Sequence, residues 1–208
     1  MAGLGIGPDE FALFRTLDPE ERSRALESRL APVLARVGDE LVAGLARVAG
    51  MPLAKQEPRV QRRKGEAPDE VLVAFAPVDR GYPKSPFLAL AATRGHLHAR
   101  VAARAIADRD GVLRRALERE APNLARKGKP FRRLRDYAVW EYEELPEIAP
   151  AHSAAFWAEV AQELAPERAG LDLGIAWPAE EARSLAVGDV LGAFRDLGAV
   201  FKLLANAR

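Results

Sequence analysis

The residues best suited to chemistry lie in one short segment, HLHARVAAR, which begins at His96. Its composition and position predict a β-strand, in which successive side chains point to opposite faces. One face then carries His96, His98, Arg100, Ala102 and Arg104. The other face carries Leu97, Ala99, Val101 and Ala103. The first face is therefore cationic, or becomes so when the histidines gain protons.

This row of basic residues allows three interpretations. Arginine offers a fork of donors that matches a phosphate or carboxylate, so the row could bind an anion. Because antiparallel sheets often have one wet face, the row could instead be the solvated side of an amphipathic strand, and this is the favoured interpretation. The pair His96 and His98 could be part of a metal site, but no third ligand is evident. We therefore expect no metal and no cofactor.

Two loops carry further basic residues. The segment DRGYPKSP contains Arg80, Tyr82 and Lys84, which could form the rim of an anion site or serve only a tight turn. A basic run before the first apolar segment contains Arg62 and Arg63. The segment ARKGKPFRRLR, residues 125–135, could bind the phosphate backbone of a nucleic acid. The favoured interpretation is that it pairs with the acidic residues that follow it.

The elements that must position these residues are short strands. Residues 70–77, 86–93 and 96–105 are apolar runs with short connections, which predict an antiparallel meander. Residues 136–143 and 169–178 predict two further strands, giving about 4–6 strands in all. Residues 53–70 have no clear period and predict a surface loop with room for a strand.

Helices are predicted at both ends of the chain. Residues 1–52 form an N-terminal helical region, in which Pro32 should kink or split the helix. Apolar spacing predicts further helices at 108–127, from Ser153 to about residue 164, and at 187–206. These patterns predict an α+β fold, an antiparallel sheet packed with helices, as a single domain over residues 1–208.

Composition excludes several functions. The chain of 208 residues has no cysteine, so thiol catalysis and disulfides are excluded. The net charge is +1, which does not favour nucleic acid as a partner, although it remains open. No signal peptide, long apolar span, Walker loop or nucleophile elbow is present, so we expect a cytoplasmic protein that does not enter a membrane. The oligomeric state is left open.

Three segments carry a family resemblance: VLVAFAPVDRGYPKSP, the hairpin that ends at His96, and the terminal AFRDLGAVFKLL. Together they resemble the YktB-like proteins, a bacterial family of unknown function. The resemblance implies a small cytosolic α+β protein and matches Arg62, Arg63, Arg80, Gly81, Tyr82, Pro86 and His96. The family's other histidines are absent here: Lys55 and Gln56 stand near the place of those in the basic stretch, and Phe87 stands at another. A family tryptophan is replaced by Leu72.

These observations favour a binding module that holds a small phosphate-bearing anion on the basic sheet face. A hydrolase or transferase that acts on a phosphorylated substrate, with His96 or His98 as acid or base, is the first alternative. A structural or interaction protein is the second alternative.

Overall fold

The sheet has six strands in the order β1-β2-β3-β4-β6-β5, and every neighbouring pair is antiparallel. It is seen in a computed structural model, which describes residues 3–61, 68–79, 82–108, 110–127, 132–133, 153–165 and 170–207. The strands are β1 (Leu53–Gln61), β2 (Glu70–Pro77), β3 (Phe87–Thr93), β4 (His96–Arg104), β5 (Arg132–Arg133) and β6 (Gly170–Pro178). With the helices below, this confirms the α+β class.

The central meander β2-β3-β4 forms where the apolar runs predicted it. The segment 53–70 predicted a surface loop with room for a strand, and its first half, residues 53–61, is strand β1. Its pairing with β2 is irregular between Gln56 and Arg59, where Pro58 has no N–H to donate. An edge strand tolerates such a proline, which explains why the sequence pattern was unclear. The predicted strand at 136–143 lies outside the described residues.

The N-terminal helical region is not split at Pro32, because the helix continues from Pro19 to Ala49 with only a change of helix type just before that proline. Helix α1 (Pro8–Ala12) and a 3₁₀ turn precede α2 (Pro19–Ala25), which Asp18 caps by accepting a hydrogen bond from the Glu21 N–H. A π-helical turn over Leu26–Leu30 then leads into α3 (Ala31–Ala49). Pro32 follows this π-helical turn by two residues, and because it has no N–H to donate, the regular hydrogen-bond pattern of the helix is interrupted there.

The remaining helices are α4 (Val112–Lys127), α5 (Ala154–Gln162), α6 (Ala179–Ala182) and α7 (Val187–Ala205). Asp108 caps α4, since its carboxylate accepts hydrogen bonds from the N–H groups of Leu113 at 2.7 Å and Arg114 at 3.2 Å. Helix α5 packs on α4, and α4 contacts α7. None of the helices in the described ranges is both long and apolar enough to cross a membrane.

Helices α3 and α7 run side by side in the same direction. A Cβ on Gly44 of α3 would lie 2.6 Å from a methyl carbon of Leu191, and a Cβ on Gly198 of α7 would lie 2.9 Å from one of Val48. Positions rise together along both helices, so their carboxyl ends lie at the same end of the protein. The two glycines therefore let the helices approach closely.

The two faces of the sheet bury different side chains. The main core joins residues of α3 and α7 to one face, which carries Val73, Phe75, Leu90 and Val101 among others. A smaller cluster occupies the opposite face: Leu72, Ala74, Ala76, Phe87, Ala89, Ala91 and Ala102, with Tyr82 packed against it. The basic residues of β4 belong to this second face.

Candidate functional site

The second face of the sheet holds a group of buried polar side chains. We call it the polar face and define it by Glu70, Thr93, His96, His98, Arg100, Arg104 and Asp172. The predicted alternation along β4 is observed, because Leu97, Ala99, Val101 and Ala103 lie in the main core. Ala102 lies in the smaller cluster on the other side.

The favoured interpretation of this face as solvated is wrong. His96 is 1% exposed, and His98 and Arg100 are 0% exposed. A buried charge is tolerated only when it is paired and hydrogen-bonded. We therefore expect carboxylates beside Arg100, and Glu70 and Asp172 provide them.

Arg100 makes a bidentate ion pair with Glu70 of β2. Its Nη1 lies 2.8 Å from Glu70 Oε2, and its Nη2 donates to Glu70 Oε1 at 3.0 Å. In the sheet register, Arg100 stands opposite Ala89 on β3 and Gly174 on β6. These small neighbours leave room for its long side chain to lie across the face.

Asp172 of β6 links Arg100 to Arg104. Its Oδ1 lies 3.3 Å from Arg100 Nε, and its Oδ2 accepts a hydrogen bond from Arg104 Nη1 at 2.6 Å. Burial alone would lower the pKa of Arg100, but the Glu70 and Asp172 carboxylates outweigh it and raise that pKa. Asp172 likewise raises the pKa of Arg104. Glu70, Arg100, Asp172 and Arg104 thus form a chain of alternating charge.

His98 does not add positive charge to the polar face. His98 lies fully inside the protein, and burial, followed by the neighbouring Arg100 and His96, lowers its pKa well below 6.5. Its Nε2 lies 2.9 Å from Thr93 Oγ1, at hydrogen-bonding distance, and its ring centroid is 5.9 Å from that of His96. His98 is therefore neutral at pH 7.

Neutral burial of His98 predicts a pH-dependent stability. The unfolded chain takes up a proton near the ordinary pKa of 6.5, whereas the folded protein takes it up only at much lower pH. The contribution of neutral His98 to the free energy of unfolding is therefore fully present above pH 6.5. It falls as the pH drops below 6.5, by at most about 1.4 kcal/mol per pH unit. Urea unfolding at pH 7.5, 6.0 and 5.0 should show this loss, and His98→Gln should flatten it. Equal pH dependence in both proteins would contradict the assignment.

One end of the polar face is partly open to solvent. There the rings of Tyr82 and Phe87 pack edge to face, 4.8 Å apart. The guanidinium of Arg59 lies 5.8 Å from the Tyr82 ring, and that of Arg104 lies 5.4 Å from the Phe87 ring. Tyr82 is half-buried, Arg59 is exposed, and the Arg104 side chain is 27% exposed. We call this group of four residues the open end.

The predicted site residues are brought together only in part. Tyr82 and Arg104 meet at the open end through Phe87, whereas His96, His98 and Arg100 lie deeper on the same face. Lys84 is exposed in the loop before β3. The predicted residues Arg62, Arg63 and Arg80 lie outside the described residues, as does most of the basic segment 125–135.

Some members of the site were not singled out from the sequence. Glu70 and Asp172 supply its carboxylates, Thr93 contacts His98, and Arg59 adds a cation. The sequence could have indicated Asp172 as a member of the site, because it is the one charged residue of the otherwise apolar strand β6. In the described part of the chain, no three His, Asp or Glu side chains form a group that could hold a metal.

Comparison with known sequences places the chain in a family. No curated protein matches it. The sequence profile of one domain family matches residues 7–197, which include all of the polar face. That family is described as a domain of unknown function, DUF1054. Because the match covers most of the chain, the protein belongs to the DUF1054 family.

Proposed function

We propose that the protein is a binding module for a small phosphate-bearing anion, held at the open end of the polar face. Support for this proposal comes from the exposure and pairing of the Arg104 side chain. Its guanidinium is partly exposed and is anchored from one side by Asp172. A guanidinium has five N–H donors, and this contact uses one of them, so the others can meet a phosphate.

The surroundings of Arg104 suit such a ligand. The hydrogen bond to Asp172 fixes the direction of the guanidinium, which lowers the entropy cost of binding. Arg59 adds a second cation beyond the Tyr82 ring, and Lys84 follows Tyr82 in the same loop. We include Arg80, Arg62 and Arg63 as further candidate contacts, because they lie near these residues in the sequence.

The deeper part of the polar face serves a different purpose in this proposal. Arg100 is fully buried and its charge is balanced by Glu70 and Asp172, so it orients Asp172 rather than touching the ligand. An enzyme that uses His96 or His98 as acid or base is less well supported. Both rings are buried, and a substrate could reach them only if the protein opened.

The proposal is tested by titrating the protein with inorganic pyrophosphate in a calorimeter. Arg104→Gln should abolish saturable binding. Arg59→Ala with Lys84→Ala should weaken it by about a hundredfold, since each of the two lost contacts to a charged group costs roughly tenfold. Arg24→Ala with Arg29→Ala removes two exposed arginines elsewhere and should leave the affinity unchanged. No saturable binding by the wild type, or equal affinity in all variants, would refute the proposal.

We also propose that the chain is a YktB-like member of its family, a single domain over residues 1–208, and cytoplasmic. The support is the motif in residues 71–86 together with His96 and the C-terminal helix. The main core supports one domain, because it includes residues from Leu4 to Ala205. A YktB-like protein with a different strand order would contradict the family assignment. A stable proteolytic fragment lacking α7 would contradict the single domain.

A further inference from the structure

A second cationic site lies between the helices, away from the polar face. The carboxyl half of α3, one side of α7 and the end of α4 line an open cleft of about 640 Å³. Arg47, Lys127, Arg195 and Lys202 line it, and Val48 and Leu191 contribute apolar surface. Its volume falls within the range of about 300–1,000 Å³ that is usual for small-molecule sites.

The charge of this cleft is unbalanced. Among the residues that the structure describes, no acidic residue lines it and no carboxylate forms an ion pair with any of its four cations. All four side chains belong to exposed residues. Like charges held together repel one another, so a multivalent anion would relieve the repulsion.

Helix ends explain only part of this cluster. Arg47, Lys127 and Lys202 lie in the last turns of their helices, where cations offset the negative end of the helix dipole. Three such ends supply together about one and a half negative charges, which leaves the cleft positive. Arg195 lies in the middle of α7, so dipole compensation does not account for it.

The apolar surface narrows the chemical class of the ligand. Leu191, Arg195 and Lys202 recur at the spacing of one helix face, so the cations of α7 lie beside apolar side chains. On α3, Arg47 adjoins Val48 in the same way. A ligand with several phosphates and a flat, weakly polar group would use both kinds of surface. We propose that this cleft binds a nucleoside polyphosphate.

This site is separate from the open end. Helices α3 and α7 pack on the face of the sheet opposite to Arg100, Arg104 and Tyr82. The two sites share no residue, so one can fail without the other. Arg59→Ala with Lys84→Ala should leave binding in the cleft unchanged.

The test is a calorimetric titration with ATP and, in parallel, with inorganic tripolyphosphate. We expect saturable binding of ATP that weakens with added salt, and clearly weaker binding of tripolyphosphate, which lacks the flat group. Arg47→Ala with Arg195→Ala should weaken ATP binding by at least about tenfold, since two contacts to charged groups are lost. Both side chains are exposed, and an unchanged thermal midpoint would confirm that the variant folds.

The control is again Arg24→Ala with Arg29→Ala, which removes the same charge from α2 and the π-helical turn. It should leave ATP affinity within about twofold. No saturable binding of ATP, or equal affinity in the cleft variant and the control, would overturn the site. Tripolyphosphate binding as tightly as ATP would overturn the nucleotide class.

Discussion

Replacing Arg100 with methionine is expected to lower the free energy of unfolding by about 3–5 kcal/mol. The change keeps an unbranched side chain of similar length but removes the cation between two carboxylates. Glu70 would lose its two-pronged partner, and Asp172 would keep only Arg104. Both carboxylates are nearly fully buried, so water cannot replace the lost contact. Urea unfolding at pH 7.5 measures the loss.

Two further variants make this prediction specific. Arg29→Met replaces an exposed arginine and should leave stability nearly unchanged. The second variant removes the buried ion pairs altogether by combining Glu70→Leu, Arg100→Met and Asp172→Leu. It should regain much of the lost unfolding free energy, because apolar residues of similar volume leave no unpaired buried charge. A loss below about 1 kcal/mol in Arg100→Met would show that the ion pairs are not formed as described.

Replacing Gly174 with alanine is expected to cost about 3 kcal/mol. A Cβ at this position would lie 2.2 Å from the Ala99 carbonyl oxygen and 2.9 Å from Arg100 Cα. These are main-chain atoms, so relief requires β6 to move away from β4. Asp172 lies two residues earlier on β6, and such a movement would also weaken its contacts to Arg100 and Arg104.

Gly192 is the matched control for Gly174. It lies inside α7, and a Cβ there would meet no atom within 4 Å. Because alanine favours a helix over glycine, Gly192→Ala should raise stability by up to about 1 kcal/mol. Thermal unfolding of both variants measures the contrast. A Gly174→Ala protein as stable as the wild type would contradict the close approach of the two strands.

The central strands were predictable because they are apolar runs with short connections. The polar residues of β4 also fell on the face that their alternation predicted. β1 was not clearly predictable, because an edge strand has fewer apolar constraints and tolerates Pro58. Local sequence therefore indicated the elements but not the extent of the sheet.

The burial of the polar face could not be predicted from the sequence. An antiparallel sheet can leave one face wet, and nothing in β4 alone decides between water and protein. The partners of Arg100 lie 30 residues before it and 72 residues after it, on strands whose order the sequence does not state. A charged residue in each of three apolar strands is the signal that, taken together, favours a buried network.

Arg104 should bind a phosphate at the open end while Arg100 remains buried in its ion pairs. This difference can be followed through the arginine side-chain N–H signals of a ¹⁵N-labelled protein during a titration with inorganic pyrophosphate. We predict saturable shifts of the Arg104 and Arg59 Nε–H signals, with the Arg100 signal unchanged. If neither the Arg104 nor the Arg59 signal shifted, or if the Arg100 signal shifted as much as they do, phosphate would not bind at the open end as proposed.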